Sequence, residues 1–385
     1  MTQQYKHSML PETNHDELAR QNFFQSLSNH VFRQIAPGNK VIYETVLKPK
    51  FEQQYQRSPK DRHEVRRLMQ DQPYYRWYGA LKRTTQEMMW ESVISSVERQ
   101  LPELIERAKE QGSKLGTLTL DPNFQTPKYQ KAVDIHCMPG GYHDESILDD
   151  VSVGAIYDRF AYIYGQGWLG SLNDDMGQSA IQNYLKQQHP NFQPTKILDL
   201  GCSVGHSTLP YVDAYPEAEI YAIDIGASML RYGHARAEAL GKKVHFSQQN
   251  AEKTNFPDRS FNLIVSHILL HEIPVPAIRN VMRECYRLLA PGGMMIHVEG
   301  SLFRHMDAYR AFMYDWETAN NNEPFWSAMR DLDLTAVVSQ AGFAAENIIE
   351  TFIPGGSGMQ KSSNDNSPNS KLNMGMRWFL LAATK

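Results

Sequence analysis

Two kinds of hydrophobic pattern divide this chain. Up to about residue 150, apolar positions recur mostly at helical spacing. One helix is expected over 14–36, where Pro37-Gly38 stops it, and another over 61–71, just before Pro73. A third spans 79–111, with Leu81, Met88, Met89, Val93, Val97, Leu101, Leu104 and Ile105 at roughly helical intervals and Gly112 as its terminator. Pro102 interrupts that run and is placed to split it in two. Residues 112–150 hold Pro122, Pro127, Pro139, Gly140 and Gly141 and read as loops. A helical bridge then covers 151–190.

From about 195 the period shortens. The β-branched runs KILDL, EIYAID, VHFSQQ, FNLIVS and GMMIHVE alternate with helical stretches, and RWFLLAAT near the end reads as a last buried strand. Strands alternating with helices imply βαβ units and a parallel sheet. The expected architecture is therefore α/β, a doubly wound and mostly parallel sheet in residues 151–385, preceded by a mainly helical accessory domain in 1–150. The polar run at 354–371, PGGSGMQKSSNDNSPNSK, buries too little apolar surface to offset its ordering entropy and is expected to be a mobile loop.

Composition narrows the function classes. With 385 residues there is room for one large domain and an accessory one. The net charge of −4 gives no overall basic field to attract nucleic acid, which is not an expected partner. No apolar stretch reaches the ~18–20 residues of a membrane span. The opening MTQQYKHSMLPETN lacks the apolar stretch of a secretory signal. Cys137, Cys202 and Cys285 are too few and scattered for a disulfide framework, so the cytoplasm is the expected compartment.

The candidate chemistry begins in KILDLGCSVGHSTLPYV, residues 196–212. An apolar strand ends in Asp199, Gly201 and Gly205 shape a tight turn, and a helix is expected from near His206. Glycines there let a ligand approach the backbone closely. The dinucleotide fingerprint needs glycine at its first, third and sixth positions, but these are Gly201, Ser203 and His206, so that cofactor is disfavoured. The next strand, EIYAIDIGASML, ends in Asp224, whose carboxylate is placed to accept from both ribose hydroxyls of an adenosine or, alternatively, to serve as a turn or capping residue.

These segments, together with QQNAEKTNFPDRSFNLIVSHILLHEIP and RECYRLLAPGGMMIHVE, resemble the class I S-adenosylmethionine-dependent methyltransferases, in the group of the ubiquinone and menaquinone C-methyltransferases. The resemblance covers about 195–300 and extends weakly to YDRFAYIYG. Residues 1–150 have no counterpart. It implies a Rossmann-like methyltransferase fold with S-adenosyl-L-methionine as cofactor. Asp199, Gly201 and Gly205 would shape the loop around the methionine moiety, with Tyr164 in the Tyr-rich segment before it. Asp224 would bind the ribose, Ile225 would pack on adenine, and Asn250 and Ala251 would hold its edge. Ser266 would begin the segment facing the methyl group. Two positions depart from the family. Ser203 replaces a glycine, so either φ stays negative there or its hydroxyl joins in binding. Asn250 replaces an acid, a weaker acceptor.

Further features leave alternatives open. His267 and His271 lie four apart in SHILLHEIP. No third metal ligand is identifiable beside them, so no metal is expected, and either histidine can be a packed residue or a proton acceptor near the substrate. The aromatic segment 303–326 reads as an apolar lid over a small molecule or as core packing. YYRWY (74–78) reads the same way or as a base-stacking patch. The mixed-charge stretch 48–67 reads as solvated surface or an anion site. SHIL stands where many amino-group methyltransferases carry Asn/Asp-Pro-Pro-Tyr, which tilts the acceptor toward a small molecule methylated at carbon, oxygen or sulfur. The N-terminal part would cap the site or pair two copies of the chain. A docked protein or RNA acceptor, or a non-catalytic cofactor-binding module, are the rival readings.

Overall fold

The computed structural model describes residues 3–355 and 377–385. Eight strands form one sheet: β1 (Thr117–Thr119), β2 (Lys196–Leu200), β3 (Glu219–Asp224), β4 (His245–Gln248), β5 (Phe261–His267), β6 (Leu289–Glu299), β7 (Ile348–Pro354) and β8 (Arg377–Thr384). Their order is β1-β4-β3-β2-β5-β6-β8-β7. The strands from β1 to β6 pair in parallel, and β8 joins β6 and β7 antiparallel. Helices cover both faces. Residues of 175–188 and 209–214 pack against one side and the helix Val275–Leu288 against the other, which explains why the central strands read as continuous apolar runs. Pro291, Gly292 and Gly293 lie within β6, where the pairing with β5 jumps from Leu289 to Met294.

The chain winds from β2 outward through β3 to β4, then returns to the other side of β2 with β5 and β6. The reversal opens a crevice above the carboxyl ends of β2, β3 and β5, the place where open α/β sheets bind ligands.

The helical N-terminal part differs from expectation in its first helix. Pro37-Gly38 does not stop the first helix. His15–His30 continues through a π turn at Val31–Ile35, a helix at Ala36–Ile42, a second π turn at Tyr43–Leu47 and a helix at Lys48–Tyr55. Pro37 and Pro49 each sit in the first turn after a π turn. The shifted hydrogen-bond register there accommodates a residue with no N–H to donate. Pro102 does split the third run, into Pro73–Glu98 and Leu101–Gln111.

Residues on both sides of position 150 share one core. Met89, Trp90 and Val93 pack with Ile156 and Phe160 and with Val204, Met229 and Tyr232 of the sheet region. The loop-rich stretch also supplies β1, which extends the sheet beside β4. The two aromatic segments meet each other. Tyr75 and Tyr78 bury with Tyr309, Phe312 and Trp316, so these three aromatics of 303–326 are core packing. The arginines of the charged stretch are paired: Arg57 with Glu64, Arg62 with Asp331 and Arg66 with Asp315. From 356 on, the polar run expected to be mobile lies outside the described residues. Among the described residues, no helix is long and apolar enough to cross a membrane.

Candidate active site

β2 ends in Asp199 and Leu200, and Gly201 and Ser203 then turn the chain away from the sheet, with φ of 68° and 46°. The positive φ at Ser203 removes the first of the two alternatives for it. Its N–H donates to Asp224 Oδ2 at 2.9 Å, and its hydroxyl is hydrogen-bonded to Tyr157. The left-handed φ at Gly201 favours glycine, and a Cβ there would also come within 2.8 Å of Leu269 Cδ1, which would have to shift. The following helix starts at Leu209 rather than near His206, because residues 203–208 form turns.

At the tip of β3, Asp224 also accepts from the Gly226 N–H at 2.9 Å. Burial pushes its carboxyl up from the ordinary value, and the N–H groups of Gly226 and Ser203 hold part of that rise back. Asp224, Ile225, Gly201, Ser203, Asn250, Ala251 and His267 all line one cleft. Tyr129, Gln130 and Tyr142 bring the N-terminal part onto the same cleft. A Cβ on Gly226 would sit 2.4 Å from the Tyr142 carbonyl, so this cover rests directly on the turn after β3.

Past Tyr157, Gly201, Ser203, His267 and Ile268 lies a smaller chamber of about 430 Å³, bounded by Asp199 and His206. Asp199 is 2% exposed. Its Oδ2 accepts from the Thr208 hydroxyl at 2.5 Å, whereas Oδ1 has no hydrogen bond in the protein and lies 3.7 Å from His267 Nδ1. A buried carboxylate oxygen in that condition suits a cationic group.

The remaining expected residues lie differently. Gly205 has φ 79° and supports the turn without facing the cleft. Ser266 is fully buried, its Oγ 2.7 Å from His297 Nδ1, and the cleft wall starts one residue later. Tyr164 lines a separate cavity with Lys82, Trp168 and Glu317. The aromatic from that helix that reaches the cleft is Tyr157. His267 and His271 do not face each other. His267 Nε2 is 3.3 Å from the Tyr211 hydroxyl, while His271 stands behind the wall, stacked on Trp326 at 4.6 Å.

The wall residue in front of His271 is Glu272, which a helical reading of SHILLHEIP points away from the histidines. Its Oε1 lies 3.5 Å from His271 Nε2 and 3.1 Å from Nε2 of His136. Glu299 Oε2 is 2.6 Å from His271 Nδ1, and Glu323 Oε1 is 2.8 Å from His136 Nδ1. Burial acts to lower the basicity of His271, but Glu299 and Glu272 outweigh it and push its pKa up to about 10. Burial likewise opposes charge on His136, and Glu323 and Glu272 hold it well above its ordinary value. Nothing in the local sequence flags His136, which arrives from the loop-rich stretch.

Residues 197–293 match the family model described as a methyltransferase domain. The chain is 32% identical over 108 residues to the demethylmenaquinone methyltransferase of Geobacillus stearothermophilus, covering 28% of this chain and 45% of that one. It is 29% identical over 166 residues to a ubiquinone/menaquinone biosynthesis C-methyltransferase of Bartonella quintana, covering 41% of this chain and 59% of that one. The matches thus span about half the length of these curated relatives. Among solved structures, Haemonchus contortus phosphoethanolamine N-methyltransferase 2 in complex with S-adenosyl-L-methionine aligns over 59% of this chain and 57% of that one, with 16% identity and a TM-score of 0.41.

Proposed function

We propose that this chain, whose residues 197–293 form a class I methyltransferase domain, transfers a methyl group from S-adenosyl-L-methionine to a small-molecule acceptor. The observation that carries the reading is the joint lining of one cleft by the Gly201–Ser203 turn and the Asp224 carboxylate, at the switch point of the sheet.

The residues present fit the cofactor. Asp224 accepts from the ribose hydroxyls, Ile225 and Ala251 give apolar contact to the adenine, and Asn250 takes its polar edge. Gly201 and Ser203 would admit the part beyond the ribose to the inner chamber, where Asp199 Oδ1, which has no hydrogen bond in the protein, would hold the cationic amino group of the methionine moiety. When bound, the cofactor supplies an electrophilic methyl group on a cationic sulfur.

The protein's own contribution is positioning and exclusion of water. Tyr129, Gln130 and Tyr142 cover the cleft, so the N-terminal part serves as a cap built into the same core. His267 is the imidazole on the cleft wall and is the proposed proton acceptor for an acceptor that must lose a proton. His271 acts through Glu272.

The test is incubation of the full chain with S-adenosyl-L-methionine and fractionated small-molecule extracts, reading S-adenosylhomocysteine by mass spectrometry. Acceptor-dependent product supports the reading. Cofactor binding without product from any fraction would leave a non-catalytic binding module.

A further inference from the structure

The alternating chain Glu323–His136–Glu272–His271–Glu299 goes beyond what methyl transfer requires. We propose that Nε2 of His136, Nε2 of His271 and a carboxylate oxygen of Glu272 form a binding site for one divalent first-row transition ion of the zinc class.

The geometry of the donors carries the case. The three ligand atoms lie within 4.8 Å of one another. Two of their separations, 3.1 and 3.5 Å, match the edge of a tetrahedron, about 3.3 Å for bonds of about 2.0–2.1 Å. Both imidazoles present the same nitrogen to the same oxygen. Two histidines and one carboxylate form a ligand set of the open, catalytic type, which leaves a further position for water or substrate.

The surroundings are those of ligands held in place. Each imidazole has its other nitrogen against a buried carboxylate, Glu299 for His271 and Glu323 for His136, at 2.6 and 2.8 Å. Such contacts fix the tautomer that leaves Nε2 free to coordinate. Glu299 and Glu323 are 0% and 2% exposed. The loop carrying His136 is itself gripped. Its carbonyl accepts from Gln86 Nε2 at 2.7 Å and Trp90 Nε1 at 2.9 Å, both on the long helix 73–98. Glu272 lines the cleft, so the ion would border the ligand space.

The experiment uses the full chain, stripped with a chelator and titrated with Co²⁺, read by visible absorption, and with Zn²⁺, read by calorimetry. Binding of S-adenosyl-L-methionine is titrated in parallel. The expected result is one equivalent of metal, loss of at least a hundredfold in affinity for His136→Ala, and a weakening of about 10–100-fold for Glu323→Gln, which preserves side-chain volume. Absence of saturable one-to-one binding by the parent chain overturns the site, as does unchanged affinity in the Glu323→Gln variant. Cofactor binding that persists while metal binding fails removes this inference and leaves the methyltransferase reading standing.

Discussion

Nε2 of His206 lies 2.8 Å from Oδ1 of Asp158, with both side chains buried. His206 belongs to the turns after Gly205, and Asp158 follows the cleft residue Tyr157 in the helix Ser152–Tyr164. The same carboxylate accepts from the Tyr232 hydroxyl at 2.8 Å and lies 3.1 Å from His7 Nε2 and 3.4 Å from Arg236 Nε. One buried anion thus ties the start of the chain, the bridge helix, the cofactor turn and the helix Ala227–Ala239 together.

Asp158→Asn should therefore be costly for its size. It leaves Arg236, 1% exposed, without its charge partner, and breaking a buried pair in this way costs roughly 3–5 kcal/mol. Denaturant unfolding of the variant against the parent reads the loss. Stability unchanged within error would show that the hub is dispensable.

Gly201→Ala tests the turn. A Cβ at φ 68° carries a cost of roughly 1–2 kcal/mol, and its approach to Leu269 adds to it. The expected outcome is a lower melting temperature and weaker cofactor binding together. Ser203→Gly, which relieves the same left-handed conformation, should keep the melting temperature at or above that of the parent. The reverse order of the two variants would contradict the strain argument.

Acid should destabilise the fold in two windows. His297 sits fully buried on β6, and burial first, then the nearby His267, lower its pKa to about 3. The unfolded chain then takes up a proton near pH 6.5 that the native chain refuses, so this contribution is full above 6.5 and is lost as pH falls toward 3. The slope is about 1.4 kcal/mol per pH unit. Burial acts to raise the Asp158 carboxyl, but Arg236, His206 and His7 outweigh it and hold it well below its ordinary value. Its contribution is full above about pH 4 and is lost below that. Urea titrations of the parent and of His297→Asn at pH 6, 5 and 4 isolate this group, and the variant should lose about 1.4 kcal/mol less per pH unit than the parent. An unchanged slope in the variant would remove His297 as a source.

What was legible in the sequence was local. The runs of β2 to β6, the turn at Gly201 and the acid at Asp224 are set by period and by nearest neighbours, and the structure brings Asp224 to one cleft with Ile225, Asn250 and Ala251, which the resemblance named. What escaped depends on distant contacts. β1 is three residues long and exists because β4 offers it an edge. The helix running past Pro37 and Pro49 depends on π turns, which leave no mark in composition. Tyr164 and Tyr157 share a helix face, but seven residues separate them by about 10 Å along the axis, so only one reaches the cleft. His136 reaches Glu272 through the packing of the loop-rich stretch against the sheet, which no spacing in SHILLHEIP could indicate.

The cradle formed by the Gly201–Ser203 turn and Asp224 is tested most directly by calorimetric titration of the full chain with S-adenosyl-L-methionine, alongside NAD and the Asp224→Ala variant. The account predicts saturable one-to-one binding of the first, no binding of NAD, and affinity at least tenfold weaker in the variant. Binding of NAD in place of S-adenosyl-L-methionine, or full affinity in Asp224→Ala, would contradict it.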